Sequence, residues 1–237
     1  MTEGWLVELG DRFWSAAGGP TAPPRDLQGA VSLSLPVTTV TLPALALGRV
    51  ERWLLARGIE HRFDADNRRL RGCLVATRGH GFVFVDGADA EDERRFTLAH
   101  EVAHFLMDYE LPRERAIRVL GEGIAAVLDG ERAPTGAERI DAALAACPLG
   151  LHTHLLARVG DRGARAAAFE ARTDRLAWEL LAPAAEVCHL AAGDAEGDLL
   201  GVLTSRYGLP RGEAERYARC LRRTYGPPPS FVDWLRG

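Results

Sequence analysis

The chain has 237 residues, 47% of them hydrophobic and 26% charged, which is ample for a buried core and ordinary for a globular protein. A formal net charge of −4 excludes the broadly basic surface of a nucleic-acid coat. All 29 basic residues are arginine, a bias that GC-rich coding explains, and Cys73, Cys147, Cys188 and Cys220 form neither a C-x-x-C metal clip nor a dense disulfide framework.

In chain order, Trp5, Leu6, Leu9, Phe13 and Trp14 mark a short amphipathic helix over residues 3–16. Gly18-Gly19-Pro20 and Pro23-Pro24 form a linker. Val31, Leu33, Leu35 and Val37 alternate with small or polar residues and predict an extended segment, with Pro36 arguing against a central strand. Leu47, Val50, Trp53 and Leu54 predict a helix from Ala44 to Ala56 that Gly58 stops. Three strands are expected at Ile59–Phe63, Leu70–Thr77 and Gly81–Val85, with turns at Asp66-Asn67 and Arg78-Gly79-His80-Gly81. Asp89, Glu91, Asp92 and Glu93 then lie where a helix dipole favours negative charge, opening a helix that runs to about Asp108.

Beyond Pro112, helices are expected at Ala116–Leu128, Ile140–Ala146 and Leu151–Val159, broken at Gly130, Pro134-Thr135-Gly136 and Pro148-Leu149-Gly150. Ala166–Leu181 reads as a strong helix ended by Pro183, followed by one or two turns over Ala184–Ala192. Asp198–Arg223 reads as helix, turn at Tyr207-Gly208-Leu209-Pro210, and helix. These elements divide the chain into an N-terminal helix and linker (1–43), a central domain (44–192) with a helical insertion at about 113–163, and a C-terminal helix-turn-helix-like segment (193–237). The start, Met1-Thr2-Glu3-Gly4-Trp5, lacks the basic and apolar regions of a signal peptide, and residues 30–47 are too polar and too broken for a membrane span. A cytoplasmic location without membrane contact is the expectation.

The chemistry concentrates in His100-Glu101-Val102-Ala103-His104. On a helix, histidines four apart project from one face, so both imidazoles reach one metal ion while Glu101 lies beside it to polarise a water. Catalytic zinc takes three protein ligands and leaves a fourth position open. Glu170, on the downstream helix, meets the requirement for the third. Asp174, four residues on, shares its face and would accept a hydrogen bond from the far nitrogen of His100 or His104. The rivals are His152 and His154, Glu110, Glu114, Glu122 and His189. The expected cofactor is one Zn²⁺ per chain.

Phe96-Thr97-Leu98-Ala99-His100-Glu101-Val102-Ala103-His104, followed by Glu170-x-x-x-Asp174-x-Leu176-Ala177-x-x-Leu180-Leu181-x-Pro183, resembles the ImmA/IrrE family of bacterial zinc metallopeptidases. There the two blocks typically read R-F-T-x-A-H-E-x-x-H and E-x-x-A-N-x-F-A-x-x-L-L-x-P. The resemblance covers roughly residues 44–110 and 165–190. Thr173-Asp174 stands in place of Ala-Asn, Leu176 in place of Phe, and the segment joining the two blocks is longer than in the family's compact form. The resemblance implies an α+β fold: a minimal zincin with a small twisted β-sheet packed on the metal-binding helix and a mostly helical C-terminal half. It also implies zinc-dependent cleavage of a protein, often a helix-turn-helix transcriptional repressor encoded nearby, in transcription regulation or stress response.

In this mechanism His100, His104 and Glu170 hold the zinc, and Glu101 moves the proton from water to the leaving amine. Tyr109, His152, His154, Tyr207 and Tyr217 are chemically able to stabilise the oxyanion or contact substrate, and the sequence does not select among them. Cys147 or Cys188 could cap the zinc as a thiolate, although an ordinary buried thiol is the simpler account. The competing class is a DNA-binding or sensory regulator in which the zinc site has a structural or regulatory role. It would use Arg211, Arg216, Arg219, Arg222 and Arg223 on the last helix, three of which (Arg216, Arg219 and Arg223) share a face.

Overall fold

The structure is a computed structural model and describes residues 4–158, 164–193 and 198–225. The fold is α+β: a small mixed sheet sits between helices, and the C-terminal half is helical. In chain order the elements are α1 (Gly4–Ala16), α2 (Leu27–Ser34), β1 (Val37–Leu42), α3 (Leu47–Leu55), β2 (Leu70–Thr77), β3 (His80–Asp86) and α4 (Glu91–His104). A π-helical stretch, Phe105–Glu110, joins α4 to α5 (Leu111–Leu120). Then come α6 (Ala125–Leu128), α7 (Gly136–Arg139), α8 (Ala142–Ala145), β4 (His152–Ala157), α9 (Ala164–Leu181), α10 (Ala184–Gly193), α11 (Leu199–Gly201) and α12 (Arg211–Tyr225).

The sheet order is β1-β3-β2-β4, with β1 parallel to β3 and the other pairs antiparallel. Residues Arg78 and Gly79, both at positive φ, close the β2–β3 hairpin as a two-residue turn, the backbone twist that favours tight hairpins. Period-two alternation divides the sheet into two faces. Cys73, Val75 and Phe84 pack with Leu47, Val50 and Leu54 of α3. Leu74, Ala76, Val83 and Val85 pack on the other face with Leu98, Ala99 and Val102 of α4. That second core also takes in Leu6 and Phe13 of α1, Leu176 and Leu180 of α9, and Tyr217 and Leu221 of α12. Helix α4 therefore lies in the middle of the molecule, and its buried run from Phe96 to His104 reflects that position.

Several sequence expectations are corrected. The alternating Val31–Val37 segment is not extended throughout: Asp26 caps α2 by accepting the Gly29 N–H, and the strand begins only at Val37. It is an edge strand, as Pro36 requires. Residues 59–63 form no strand; the Phe63 N–H bonds the Glu51 side chain instead of a neighbouring strand. The expected helix Ala116–Leu128 is two pieces broken at Gly121, which sits at φ 83°. The largest correction concerns Leu151–Val159. Its described part is not helical but is strand β4, antiparallel to β2 (Val159 lies outside the described residues). Residues 226–237 of the C-terminal segment also lie outside them. Among the described residues, no helix is long and apolar enough to cross a membrane.

Candidate metal centre

Glu91, Asp92 and Glu93 fill the first turn of α4, where negative charge opposes the helix dipole, and Glu93 pairs with Arg71 of β2 at 2.8 Å. The helix lies close on the sheet because β2 carries Gly72 beneath it. A Cβ there would stand 2.6 Å from Thr97 Cγ2 and 2.8 Å from Glu101 Oε1. This close approach buries Glu101 completely, with His100 and His104 almost as deep.

His100 and His104 share a face, their ring centroids 4.9 Å apart. Helix α9 packs against α4 and brings Glu170 Oε2 to 3.2 Å from His100 Nε2 and 3.8 Å from His104 Nε2. Each histidine is oriented by a carboxylate behind it: His100 Nδ1 lies 3.0 Å from Asp174 Oδ1, and His104 Nδ1 lies 2.6 Å from Asp108 Oδ2. A carboxylate only accepts, so both Nδ1 atoms carry the hydrogen and donate it. The Nε2 lone pairs then point at the shared centre. Both Nε2 atoms are buried and make no hydrogen bond. Buried polar atoms left in this way call for a missing partner, and a carboxylate–histidine pair aimed at an open point is the usual support of a metal ligand. The residues fit a divalent cation with nitrogen and oxygen ligands.

The structure adds His154 to this set. Its Nδ1 lies 2.9 Å from Glu101 Oε2, its Nε2 lies 3.2 Å from Glu170 Oε1, and its ring stacks on His104 with centroids 3.6 Å apart. One ligand atom from each of His100, His104, His154 and Glu170 falls within 4.8 Å of the others. Strand β4 places His154 there: it sits opposite Leu74, on the sheet face that α4 covers.

The electrostatics follow from four carboxylates around three imidazoles. Burial disfavours the imidazolium, but Asp174 and Glu170 outweigh it and raise His100 to about 9. For His154, burial is likewise outweighed by Glu101 and Glu170, which raise it to about 10. Burial would raise Glu170, Glu101 and Asp174, yet the surrounding histidines hold all three below the ordinary carboxylate range, with Arg216 assisting at Asp174. Such a centre attracts cations, whether protons on His100 and His154 or a metal ion that displaces them.

The remaining predicted residues are placed as follows. Tyr109 is buried with its hydroxyl accepting the Gly79 N–H at 2.7 Å, in the β2–β3 turn. Tyr207 donates to Glu186 and Tyr217 to the Ala182 carbonyl. None of the three points into the cluster. His152 lies two residues before His154 on the same strand face and lines a cleft of about 490 Å³ together with His104, His154 and Glu170. A second cleft of about 320 Å³ opens on the other side, between Arg71, His100, Glu170, Asp174 and Arg216, so Glu170 borders both. Cys147 donates to the Pro112 carbonyl, and neither it nor Cys188 belongs to the metal-capable cluster.

Two partners were missed in the sequence. Asp108 stands at i+4 from His104, a spacing that was available to be read. In the sequence Arg216 reads as one of the arginines suited to DNA on the last helix. It instead lies over Trp178, binds Glu213 at 2.8 Å and makes a short ion pair with Asp174, so it supports the carboxylate that orients His100. Arg211 pairs with Glu215 at 3.1 Å. Two of the five arginines suited to a phosphate backbone are thus engaged with carboxylates of the same chain.

No curated protein matches the chain. Residues 56–125 match the family model described as Peptidase_M78, IrrE N-terminal-like domain. The matched segment holds β2, β3 and α4 with His100, Glu101 and His104, and it ends before β4 and α9. Over residues 56–125 the chain is thus similar to the IrrE N-terminal-like domain of this peptidase family, and the matched segment supplies two members of the metal-capable cluster, His100 and His104.

Proposed function

We propose that the protein is a zinc-dependent endopeptidase acting on a specific protein, such as a helix-turn-helix transcriptional repressor encoded nearby. The observation that carries this reading is the convergence of His100, His104 and Glu170 on one point beside the buried Glu101. A zinc ion held there supplies Lewis-acid polarisation of a peptide carbonyl and acidifies water. Asp174 and Asp108 keep the two imidazoles in the tautomer that presents Nε2. Glu101, held ionised, takes the proton of the attacking water on its carboxylate and delivers it to the leaving amine. The clefts on either side of Glu170 give an extended chain room to enter and leave, one polar and one more apolar. His154, between Glu101 and Glu170, has a proton to share, which supports a contact with the carbonyl oxygen once the site is open.

The test is to purify the protein, measure its metal, and incubate it with the repressor encoded beside its gene. The reading requires about one zinc per chain and a discrete cleavage. Glu101→Gln is expected to keep the zinc and lose about 10³-fold or more in turnover, because it removes the proton acceptor and leaves the ligands in place. Undiminished cleavage by that variant would overturn the mechanism, and a protein without metal would overturn the zinc reading.

A further inference from the structure

We propose that His154 is a fourth protein ligand of the metal, so that the described conformation is a self-closed, latent state of the site. The inference rests on reading the cluster as a metal centre and concerns how that centre is regulated. All three histidines have Nδ1 held by a carboxylate. Asp174 holds Nδ1 of His100, Asp108 holds Nδ1 of His104, and Glu101 holds Nδ1 of His154, at 3.0, 2.6 and 2.9 Å. His100 and His104 leave Nε2 unbonded toward the common centre, His154 Nε2 lies 3.2 Å from Glu170 Oε1, and with Glu170 the ligand atoms lie within 4.8 Å of one another. Three histidines and a glutamate fill all four positions, which is the pattern of a closed site and not of one with a place for water.

The same contact removes the proton acceptor. Glu101 Oε2 is occupied by the His154 Nδ1–H, while Glu101 Oε1 is buried and makes no hydrogen bond. One side chain therefore blocks both requirements for hydrolysis, the open position and the available base. The element that carries it is suited to withdrawal. Among the described residues β4 pairs with β2 alone and forms the edge of the sheet, and its residues are all partly exposed. With a metal bound, withdrawal of β4 would carry His154 Nε2 away from the centre and leave a ligand position for water. The Nδ1 hydrogen leaves with the imidazole, Glu101 is freed, and no electron is transferred.

Cobalt substitution tests this without relying on turnover. The wild-type cobalt protein should show the intense visible bands of a four-coordinate site and resist acetohydroxamate, a chelating probe that needs an open position. His154→Ala and His154→Gln should retain the metal, shift those bands toward higher coordination, and bind acetohydroxamate about tenfold or more tightly, with zinc affinity reduced by a similar factor. His152→Ala, on the same strand face but outside the cluster, should leave the bands unchanged. X-ray absorption of the wild-type zinc protein counts imidazoles independently of any variant, and three are expected. Two imidazoles, or unaltered spectra and affinity in both His154 variants, overturns the fourth-ligand assignment while leaving the zinc site standing. Metal binding that is absent, or unaffected by His100→Ala, overturns the underlying reading as well.

Discussion

At the scale of single residues, the site depends on groups that never touch the centre. Asp174 fixes the tautomer of His100 from behind, so Asp174→Ala should lower zinc affinity about 10–100-fold while the helices remain folded. Competition with a chelator measures this, and an unchanged affinity would show the hydrogen bond to be incidental. Glu110, a rival ligand by sequence, is elsewhere: it faces α1 near Leu9 and Phe13. Burial, then the neighbouring Glu114, raise its carboxyl to about 7. A carboxyl raised in the folded state is best tolerated protonated, so its cost is absent below the ordinary value near 4.5 and grows as pH rises toward 7. Glu110→Gln should stabilise the protein above pH 7 by on the order of 1–3 kcal/mol and have no effect near pH 4. Unfolding midpoints across that range supply the check. The motif residues were legible in sequence because four-residue spacing on a helix is local geometry; Asp108 obeys the same rule.

At the scale of elements, the contact of α4 with the sheet sets the depth of the site. The absent side chain of Gly72 lets Glu101 lie against β2, and Gly72→Ala would place a methyl group within 3 Å of both Thr97 and Glu101. That variant should lose about 1–3 kcal/mol of stability as the helix is pushed outward, with weaker metal binding in step. Thermal unfolding and metal titration would both have to remain at wild-type values for the close approach to be unimportant. The strand pair β2–β3 and the helices α1, α3, α4 and α9 were readable from periodicity and stop signals, since each has a continuous apolar face or a clear break. Strand β4 was not. Its short, mixed run, Leu151–Ala157, has neither strict alternation nor helical spacing, and it becomes a strand because β2 offers an edge to pair with.

At the scale of the whole molecule, the C-terminal helix is part of the site's support. Arg216 reaches from α12 to Asp174, and Tyr217 stacks on Trp178 of α9 with centroids 4.9 Å apart. Arg216→Ala should lower stability by about 1–2 kcal/mol, discounted because the arginine is partly exposed, and should weaken zinc binding through Asp174. Loss of salt-dependent duplex binding with zinc affinity intact would instead assign the arginine to DNA. By itself the sequence determined the α4 motif and offered Glu170-x-x-x-Asp174 on α9, because helical spacing is written in neighbouring residues, while the α+β class followed from the resemblance that those two blocks carry. The tertiary structure alone decided that His154 joins the metal-capable cluster, that Glu101 is held by it, and that Arg216 serves Asp174. Those contacts span 16 to 53 residues around His154 and 42 between Arg216 and Asp174. No local pattern encodes such separations; only the packing of β4 and α12 against the central helices brings them within bonding distance.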